Sequence, residues 1–349
     1  MADVYLKRVS YDELLKNPQI ILEAVEKTGI LTQFKKGEFL ALKIHFGEKG
    51  NKSYINPIFL LPLVQNFKKT GIKPFLFETN TLYRGQRMNA VDHINLAYNH
   101  GFGKLDIPVI IGDGLVGADT LEVEIGQKQF KSCFLAAALK DINNMLVLSH
   151  FTGHMLTGFG AAIKNLGMGC ASRRGKLAQH CQVNPKIDER KCINCGACAA
   201  QCPVKAIERG EAKCFITGEC IGCAQCLSVC PKGAVDIVWS EEYEVLGERL
   251  VEYAYAVTKN RKCVYINFCL YMTKECDCMN KEDKGFVPDI GFFLSTDPVG
   301  VDKACIDVLL GREAHDVIKD LHPQINYLSH LAYAQGIGLG SLDYRLIEL

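Results

Sequence analysis

The sequence has no marked excess of either charge and no long hydrophobic run. Its 349 residues include 40 basic and 39 acidic side chains, for a net charge of +1. No overall charge therefore attracts the chain to nucleic acid or to an anionic membrane. The most apolar run, I-F-L-L-P-L-V, is short and interrupted by Pro62, and the first residues lack the apolar core of a signal peptide. We expect a soluble, cytoplasmic protein with no nucleic-acid or membrane partner.

Nucleotide-binding glycine motifs are also missing from the stretch richest in polar residues and glycine, Ser149 to Lys176. Its glycines do not follow G-x-G-x-x-G, and no Lys-Ser or Lys-Thr follows a glycine in P-loop register. The sequence therefore gives no basis for predicting a nucleotide site there.

Cysteine, by contrast, is abundant. Seventeen cysteines would indicate a disulfide scaffold in a small secreted chain, but this chain is large and has no export signal. Metal binding is the better interpretation of most of them.

Eight of the cysteines form one motif that occurs twice. The motif is C-x2-C-x2-C-x3-C-P, and the second copy begins 28 positions after the first. Its members are Cys192, Cys195, Cys198 and Cys202, and then Cys220, Cys223, Cys226 and Cys230. In such runs the first three thiolates bind one iron-sulfur cube, because their spacing lets a tight loop turn the sulfurs inward.

The fourth cysteine of each motif is predicted to serve the other cluster. Proline disfavours the helical region for the residue before it, so Cys202 and Cys230 should be extended and directed away from their own loops. Two 4Fe-4S clusters follow, one on Cys192, Cys195, Cys198 and Cys230, the other on Cys220, Cys223, Cys226 and Cys202. Two structural zinc sites are the alternative, but those pair cysteines across two knuckles and need neither the third cysteine nor the C-P ending.

The segment Asn184 to Trp239 resembles the bacterial two-cluster ferredoxins in these motifs. Arg209 and Gly210 fit a hairpin turn between the two copies. The resemblance implies an α+β ferredoxin-like domain that transfers single electrons.

The flanking sequence alternates apolar, strand-like runs with helical patterns on both sides of this segment. Strands are expected at 39–46, 74–78, 107–112, 144–151, 262–268 and 289–295, and helices at 57–69, 89–100, 244–258 and 298–310. The alternation predicts an α/β fold with a mainly parallel sheet and helices on both faces. We expect residues 1–183 and 240–349 to form one α/β domain into which the ferredoxin-like domain, 184–239, is inserted. Three separate domains in series are the alternative.

Six flanking stretches together resemble the family named domain of unknown function 362. They are L-K-I-H-F-G-E, F-E-T-N-T-L-Y-R-G, I-G-D-G-L-V-G-A-D, H-F-T-G-H-M-L-T-G-F-G-A-A-I-K-N-L-G-M-G-C, C-D-C and S-T-D-P-V-G-V-D-K-A. The resemblance implies an α/β iron-sulfur protein of anaerobic metabolism. It attaches no reaction to the fold.

Candidate catalytic residues lie where the strand at 144–151 passes through a glycine-bearing loop into the helix-like run A-A-I-K-N-L. They are His150, His154, Lys164 and Asn165. Such junctions hold ligands in α/β sheets, and a helix N-terminus there favours an anion, with charge from Lys164, Arg173, Arg174 and Lys176. The two histidines could bind metal, donate protons or be structural. His45 and Asp113 occupy comparable strand ends, although Asp-Gly often only shapes a turn.

The remaining cysteines divide into two groups. Cys133, Cys263 and Cys305 lie in apolar runs and are expected in the core, and Cys214 is expected to pack in a hairpin strand. Cys269, Cys276 and Cys278 could complete a third metal site with Cys170 or with His180 and Cys181, or could be reduced thiols that share a loop. A free C-x-C pair could also exchange disulfides.

Three functions fit these features. The first is an iron-sulfur oxidoreductase that passes electrons through both clusters to a substrate or cofactor in the α/β domain. The second is a non-catalytic electron-transfer partner of a larger oxidoreductase. The third is a metal-centre assembly or activation factor. The first is preferred, because a carrier needs only the inserted segment. A redox partner protein and a small-molecule substrate are expected with it.

Overall fold

The computed structural model describes residues 1–180, 184–237 and 243–349. In chain order its strands are β1 Ala2–Arg8, β2 Phe39–Ile44, β3 Lys73–Glu78, β4 Val109–Ile111, β5 Thr120–Glu124, β6 Ser132–Ala136, β7 Asn144–His150, β8 Thr152–His154, β9 Gly158–Gly160, β10 Lys186–Ile187, β11 Ile207–Arg209, β12 Cys214–Ile216, β13 Val235–Asp236, β14 Lys262–Cys269, β15 Gly291–Ser295 and β16 Tyr344–Glu348. The α-helices are α1 Tyr11–Lys16, α2 Gln19–Thr28, α3 Leu61–Thr70, α4 Ala90–Asn99, α5 Ala162–Gly167, α6 Arg173–His180, α7 Ala197–Ala200, α8 Gln225–Val229, α9 Tyr243–Thr258, α10 Pro298–Leu310, α11 Val317–Leu321 and α12 Ser329–Gly336. Short 3₁₀-helices lie at Ile30–Gln33, Pro57–Leu60, Phe102–Leu105 and Ala137–Asp141.

Eight strands form one sheet in the order β16-β1-β15-β14-β7-β2-β3-β4. Neighbouring strands are parallel except at β15, which runs antiparallel to both β1 and β14. Strands from both sides of the cysteine motifs therefore meet in one sheet, with β7 hydrogen-bonded to β14 on one side and to β2 on the other. The predicted α/β fold with a mainly parallel sheet is confirmed.

The central strand β7 is buried over Asn144–Ser149, as expected for an inner parallel strand covered on both faces. One hydrophobic core lies on the face packed by α5, α9 and α10 and includes Ile163, Val251 and Ile306. A second core, with Ile21 and Leu63, lies under α2 and α3 on the other face. Helices therefore cover both faces of the sheet.

Several predicted boundaries shift by a few residues. The helix expected at 57–69 is a 3₁₀ turn followed by α3, and the strand expected at 289–295 begins at Gly291. The helix expected at 298–310 matches α10, where Pro298 follows the N-cap Asp297.

Residues 184–237 form their own small elements. Strand β10 pairs with β13, and β11 pairs with β12 in a hairpin through Gly210. Their core also takes in Leu82 and Leu177 from the α/β part. The domain boundaries predicted at 183/184 and 239/240 fall within or beside segments outside the described residues, as does Cys181. In the described ranges no helix combines the length and apolarity needed to cross a membrane.

Candidate functional site

Four of the motif cysteines surround one cavity in the ferredoxin-like segment. They are Cys192, Cys195, Cys198 and Cys230, so three come from the first motif and one from the second. Cys214 of β12 also lines this cavity, together with apolar side chains that include Ile187, Ile193 and Val235. Sequence reasoning placed Cys214 in the packing of a hairpin strand, and its burial agrees. Its position beside these thiols could not be predicted from the sequence, because it depends on how the hairpin folds.

The other four motif cysteines also lie near one another. Burial raises the pKa of the Cys223 thiol, and the neighbouring Cys202 and Cys220 raise it further. Burial likewise raises the pKa of Cys226 to about 12, with Cys223 and Cys220 adding to the effect. Thus Cys202, from the first motif, lies with the first three cysteines of the second.

The last cysteine of each motif has the same local environment. Cys230, before Pro231, has φ −72° and ψ 110°, which is extended backbone. The backbone N–H of Ala234 donates to its sulfur at 3.1 Å, and that of Ala206 donates to Cys202 at 3.2 Å. Such N–H···S bonds stabilise thiolate ligands and tune cluster potentials.

The thiols fit iron-sulfur clusters in chemistry and arrangement. Burial, followed by the effect of Cys214, raises the pKa of Cys198 to about 11. Buried neighbouring thiols of this kind ionise readily only when a metal neutralises their charge. Across 1–180, 184–237 and 243–349, no three His, Cys, Asp or Glu side chains gather closely enough to share one metal ion. In a cube each thiolate binds its own iron, so its four sulfurs surround a larger volume than the ligands of a single ion.

The loop after β3 connects this segment to the sheet. Leu82 packs into the ferredoxin-like core, and the Arg84 guanidinium donates to the carbonyl oxygen of Cys230. Between them, the Tyr83 hydroxyl donates to the carbonyl oxygen of Cys278 at 3.3 Å. Residues 82–84 thus contact both a motif cysteine and the C-D-C loop.

A buried ion pair lies at the carboxyl edge of the sheet. Lys43 of β2 donates from Nζ to Glu78 of β3 at 2.6 Å, and both side chains are almost completely buried. The same Nζ donates to Asn165 Oδ1 at 2.7 Å. Asn165 Nδ2 in turn donates to Leu148 O and Ser149 Oγ, each at 3.0 Å. Asn165 therefore joins α5 to the ends of β2 and β7.

A second buried charge lies beside this pair. Arg87 forms ion pairs with Glu48 at 3.3 Å and with Glu78 at 3.9 Å, and its Nη1 lies 2.6 Å from His45 Nε2. Burial, followed by the charges of Arg87 and Lys43, lowers the pKa of His45, so its ring is neutral. Sequence reasoning singled out His45 but missed Lys43, Glu78 and Arg87. A lysine inside the apolar run F-L-A-L-K-I was the available signal, because an unpaired charge is not buried.

His150 is held by both ring nitrogens. Its Nδ1 lies 3.0 Å from each carboxylate oxygen of Asp277, and its Nε2 lies 2.9 Å from the carbonyl oxygen of Leu270. Burial opposes a charged ring, but Asp277 and the hydrogen bonds outweigh it and raise the pKa of His150. For Asp277, His150 outweighs the effect of burial and lowers the pKa. The pair ties the C-D-C loop to β7.

His154 does not share this environment. Its Nδ1 lies 2.8 Å from the Thr157 hydroxyl and accepts from the Thr157 N–H at 3.2 Å. Burial, and then the charge of Lys164, lowers its pKa. The two histidines predicted as a pair thus bind different partners.

Lys164 is the predicted residue with the least constrained polar group. In the described part of the chain its ammonium makes no hydrogen bond or ion pair, and the side chain is half-buried. Burial lowers its pKa to about 8, although Asp277 and Glu275 partly restore it. Lys164 can therefore exchange a proton near neutral pH.

The predicted anion site at the start of α5 is instead filled by the chain itself. The N–H groups of Ala162 and Ile163 donate to the carboxylate of Asp302, at 2.9 and 3.0 Å. The expectation of an external anion there was wrong, because Asp302 of α10 reaches the helix terminus.

The basic residues and Asp113 lie on the neighbouring elements. Arg173 is buried and donates to the carbonyl oxygen of Met88, whereas Arg174 stacks over the Phe134 ring. Lys176 donates to Ala171 O at 2.6 Å. Asp113 accepts from Asn80 N and Nδ2, each at 2.9 Å, and burial raises its pKa to about 6.

Outside the two motifs, the cysteines that the structure describes do not gather at one place. Cys276 and Cys278 are joined as a disulfide, whereas Cys269 lies against Cys305 in the core. Cys133, Cys170 and Cys263 are buried free thiols.

Several known proteins are similar to parts of this chain. A stretch of 26 residues is 69% identical to Ferredoxin-1 of Rhodospirillum rubrum and covers 7% of this chain and 46% of that protein. Two solved structures are similar to this chain at low identity. The lactate racemase apoprotein of Thermoanaerobacterium thermosaccharolyticum is 12% identical, with a TM-score of 0.41 over 77% of this chain and 51% of its own. A protein from Thermotoga maritima is 10% identical, with a TM-score of 0.40 over 85% of this chain and 58% of its own.

The chain thus spans less than two thirds of each of these three proteins. One protein family matches over residues 40–307, which includes most of the sheet and all eight motif cysteines. The chain belongs to the family described as domain of unknown function (DUF362).

Proposed function

We propose that this chain is an iron-sulfur redox protein that passes electrons through two 4Fe-4S clusters to a substrate or cofactor at the carboxyl edge of the sheet. Cys192, Cys195, Cys198 and Cys230 would hold one cluster, and Cys220, Cys223, Cys226 and Cys202 the other. Bound clusters would supply single-electron transfer. The observation that carries the proposal is the mixed set of four thiols around one cavity.

The domain arrangement is part of the proposal. Residues 184–239 would be a domain inserted into one α/β domain made of 1–183 and 240–349. In support, β14, β15 and β16 share a sheet with β1, β2, β3, β4 and β7. A redox partner protein would deliver the electrons.

The four candidate catalytic residues have different roles. Lys164 is the group that would touch a substrate and move a proton, because its ammonium makes no hydrogen bond or ion pair among the described residues and its pKa is about 8. Asn165 positions Lys43, and His150 positions the C-D-C loop. His154 would keep the loop after β7 in place through Thr157.

The test is the iron and sulfide content of anaerobically purified protein, followed by EPR after reduction. Two complete cubes correspond to about eight irons per chain. Cys263→Ser is the control, because Cys263 lies in the α/β core away from the motifs, and it should keep all the iron. Zinc in place of iron would overturn the proposal.

Double variants test the exchange of ligands. Cys195→Ala with Cys230→Ala removes two ligands of one proposed cluster, so about four irons should remain. Cys195→Ala with Cys202→Ala removes one ligand from each cluster, so little iron should remain. The reverse result would mean that each motif holds its own cluster.

A further inference from the structure

Among the described cysteines only Cys276 and Cys278 are linked, while fourteen others, including all eight motif cysteines, are free thiols. Cysteines that bind iron must stay reduced, which requires a reducing environment. In such environments disulfides that persist are usually catalytic or redox-sensing. A C-x-C disulfide in this chain therefore needs a role other than holding the fold together.

The disulfide lies beside buried polar side chains of the α/β part. Between its two cysteines, Asp277 accepts from the Ser53 hydroxyl at 2.8 Å and pairs with His150. The carbonyl oxygen of Asp277 also accepts from the Glu48 N–H at 2.9 Å. The disulfide is thus fixed at the carboxyl edge of the sheet by buried hydrogen bonds.

The same loop is connected to the ferredoxin-like segment through two consecutive residues. Tyr83 contacts the carbonyl oxygen of Cys278, and Arg84 contacts that of Cys230. Arg84 also lies against Gly233, three residues after Cys230. A continuous path of covalent and hydrogen bonds thus runs from a proposed cluster ligand to the disulfide.

We propose that Cys276 and Cys278 form a two-electron redox centre that is reduced by way of the clusters and takes a disulfide as its substrate. This rests on the proposed function. The Cys276–Cys278 bond takes up two electrons, one from each reduced 4Fe-4S cluster, with two protons from solvent, and breaks to give two thiols. Exchange with a substrate disulfide re-forms the bond and releases the substrate's two thiols. Two one-electron clusters match this two-electron step.

The surroundings suit that chemistry. Cys278 is partly exposed and Cys276 is buried, so Cys278 is the sulfur that a substrate can reach. Lys164 interacts electrostatically with Glu275 and Asp277, the two neighbours of Cys276. The lysine therefore places a positive charge near the C-D-C loop.

The experiment is an anaerobic titration of the oxidised, cluster-loaded protein with dithionite. Cluster reduction is followed by absorbance and EPR, and peptide mass spectrometry after alkylation reports whether Cys276 and Cys278 are linked. Wild type should take up about four electrons per chain, about two of them in the disulfide. Cys278→Ser should take up about two, whereas the control Cys305→Ser, a free core thiol, should match wild type.

Three further measurements test whether the clusters reduce the disulfide and whether the thiols then exchange with a substrate disulfide. Cluster-free protein should keep the disulfide under the same dithionite, and Tyr83→Phe should slow its opening without changing cluster reduction. Oxidised glutathione, added after dithionite is removed, should re-form the link. Clusters that reduce while Cys276 and Cys278 stay linked would overturn this inference and leave the proposed function standing. Clusters that form but cannot be reduced would overturn both. Equal opening in cluster-free protein, or thiols that glutathione disulfide leaves open, would also refute the inference.

Discussion

Lys164 is a half-buried lysine with a pKa of about 8, well below the ordinary value because burial disfavours its charge. Acylation needs the neutral amine, so Lys164 should react at half its maximal rate near pH 8, whereas ordinary lysines require about pH 10.4. Peptide mass spectrometry across a pH series measures this. Glu275→Gln should lower the midpoint further, because Glu275 favours the charged amine. Glu282→Gln, which alters an exposed ion pair, should not change it.

The His150–Asp277 pair should contribute strongly to stability. Removing one partner from a buried pair leaves the other charge uncompensated, so Asp277→Ala should cost about 3–5 kcal/mol in the free energy of unfolding. Urea unfolding measures the loss. Because the pKa of His150 is raised, its contribution is complete below about pH 6.5 and is lost as the pH rises through its folded-state pKa. Because the pKa of Asp277 is lowered, the stabilisation from its carboxylate is complete above about pH 3.9 and is lost as the pH falls through its folded-state pKa. An Asp277→Ala protein as stable as wild type would mean that the pair is not formed.

Single residues differed in how far the sequence could predict them. The eight motif cysteines were recognisable because their spacing is local. The partners of Lys43, Arg87 and His150 lie 35, 39 and 127 residues away in the chain, and no spacing rule identifies such contacts. His150 and His154 lie close in sequence, but they end two successive strands and bind different partners.

At the scale of elements, the carboxylate of Asp302 in α10 caps the N-terminus of α5. Burial raises its pKa to about 7, above the unfolded value of about 3.9. Between these two values the folded protein binds a proton that the unfolded chain has lost, so stability falls as the pH rises. Asp302→Asn should lose this dependence, which is on the order of a few kcal/mol. Denaturant unfolding of wild type and Asp302→Asn at pH 4.5 and about pH 7 tests this prediction. An equal change in the free energy of unfolding with pH in both proteins would contradict it.

The elements predicted correctly were those with long apolar or periodic runs, such as β7 and α10. The strand β1 and its parallel partner β16 went unpredicted as a pair, because β16 is only partly buried and its partner lies at the other end of the chain. The hairpins β5–β6 and β8–β9 are short, so they carry too few residues for a periodic signal.

For the whole molecule, iron removal should have a local effect. The ferredoxin-like core is small and includes Cys198, Cys214 and Cys226 among its buried side chains, and domains of this size often need metal to fold. Chelation should therefore speed amide hydrogen exchange in 184–237 and leave β2, β7 and β14 protected. Reloading with iron and sulfide should restore slow exchange. Equal loss of protection across the sheet would show that the clusters also stabilise the α/β part.

The position of β1 has a consequence for how the protein is made. This strand is synthesised before the cysteine motifs, whereas its sheet neighbours β15 and β16 are synthesised after them. Residues 192–230, by contrast, contain every proposed cluster ligand within a short stretch. During translation the segment with the proposed cluster ligands is therefore complete before β1 has its partners, and we expect chaperones to be needed chiefly by the unfinished sheet.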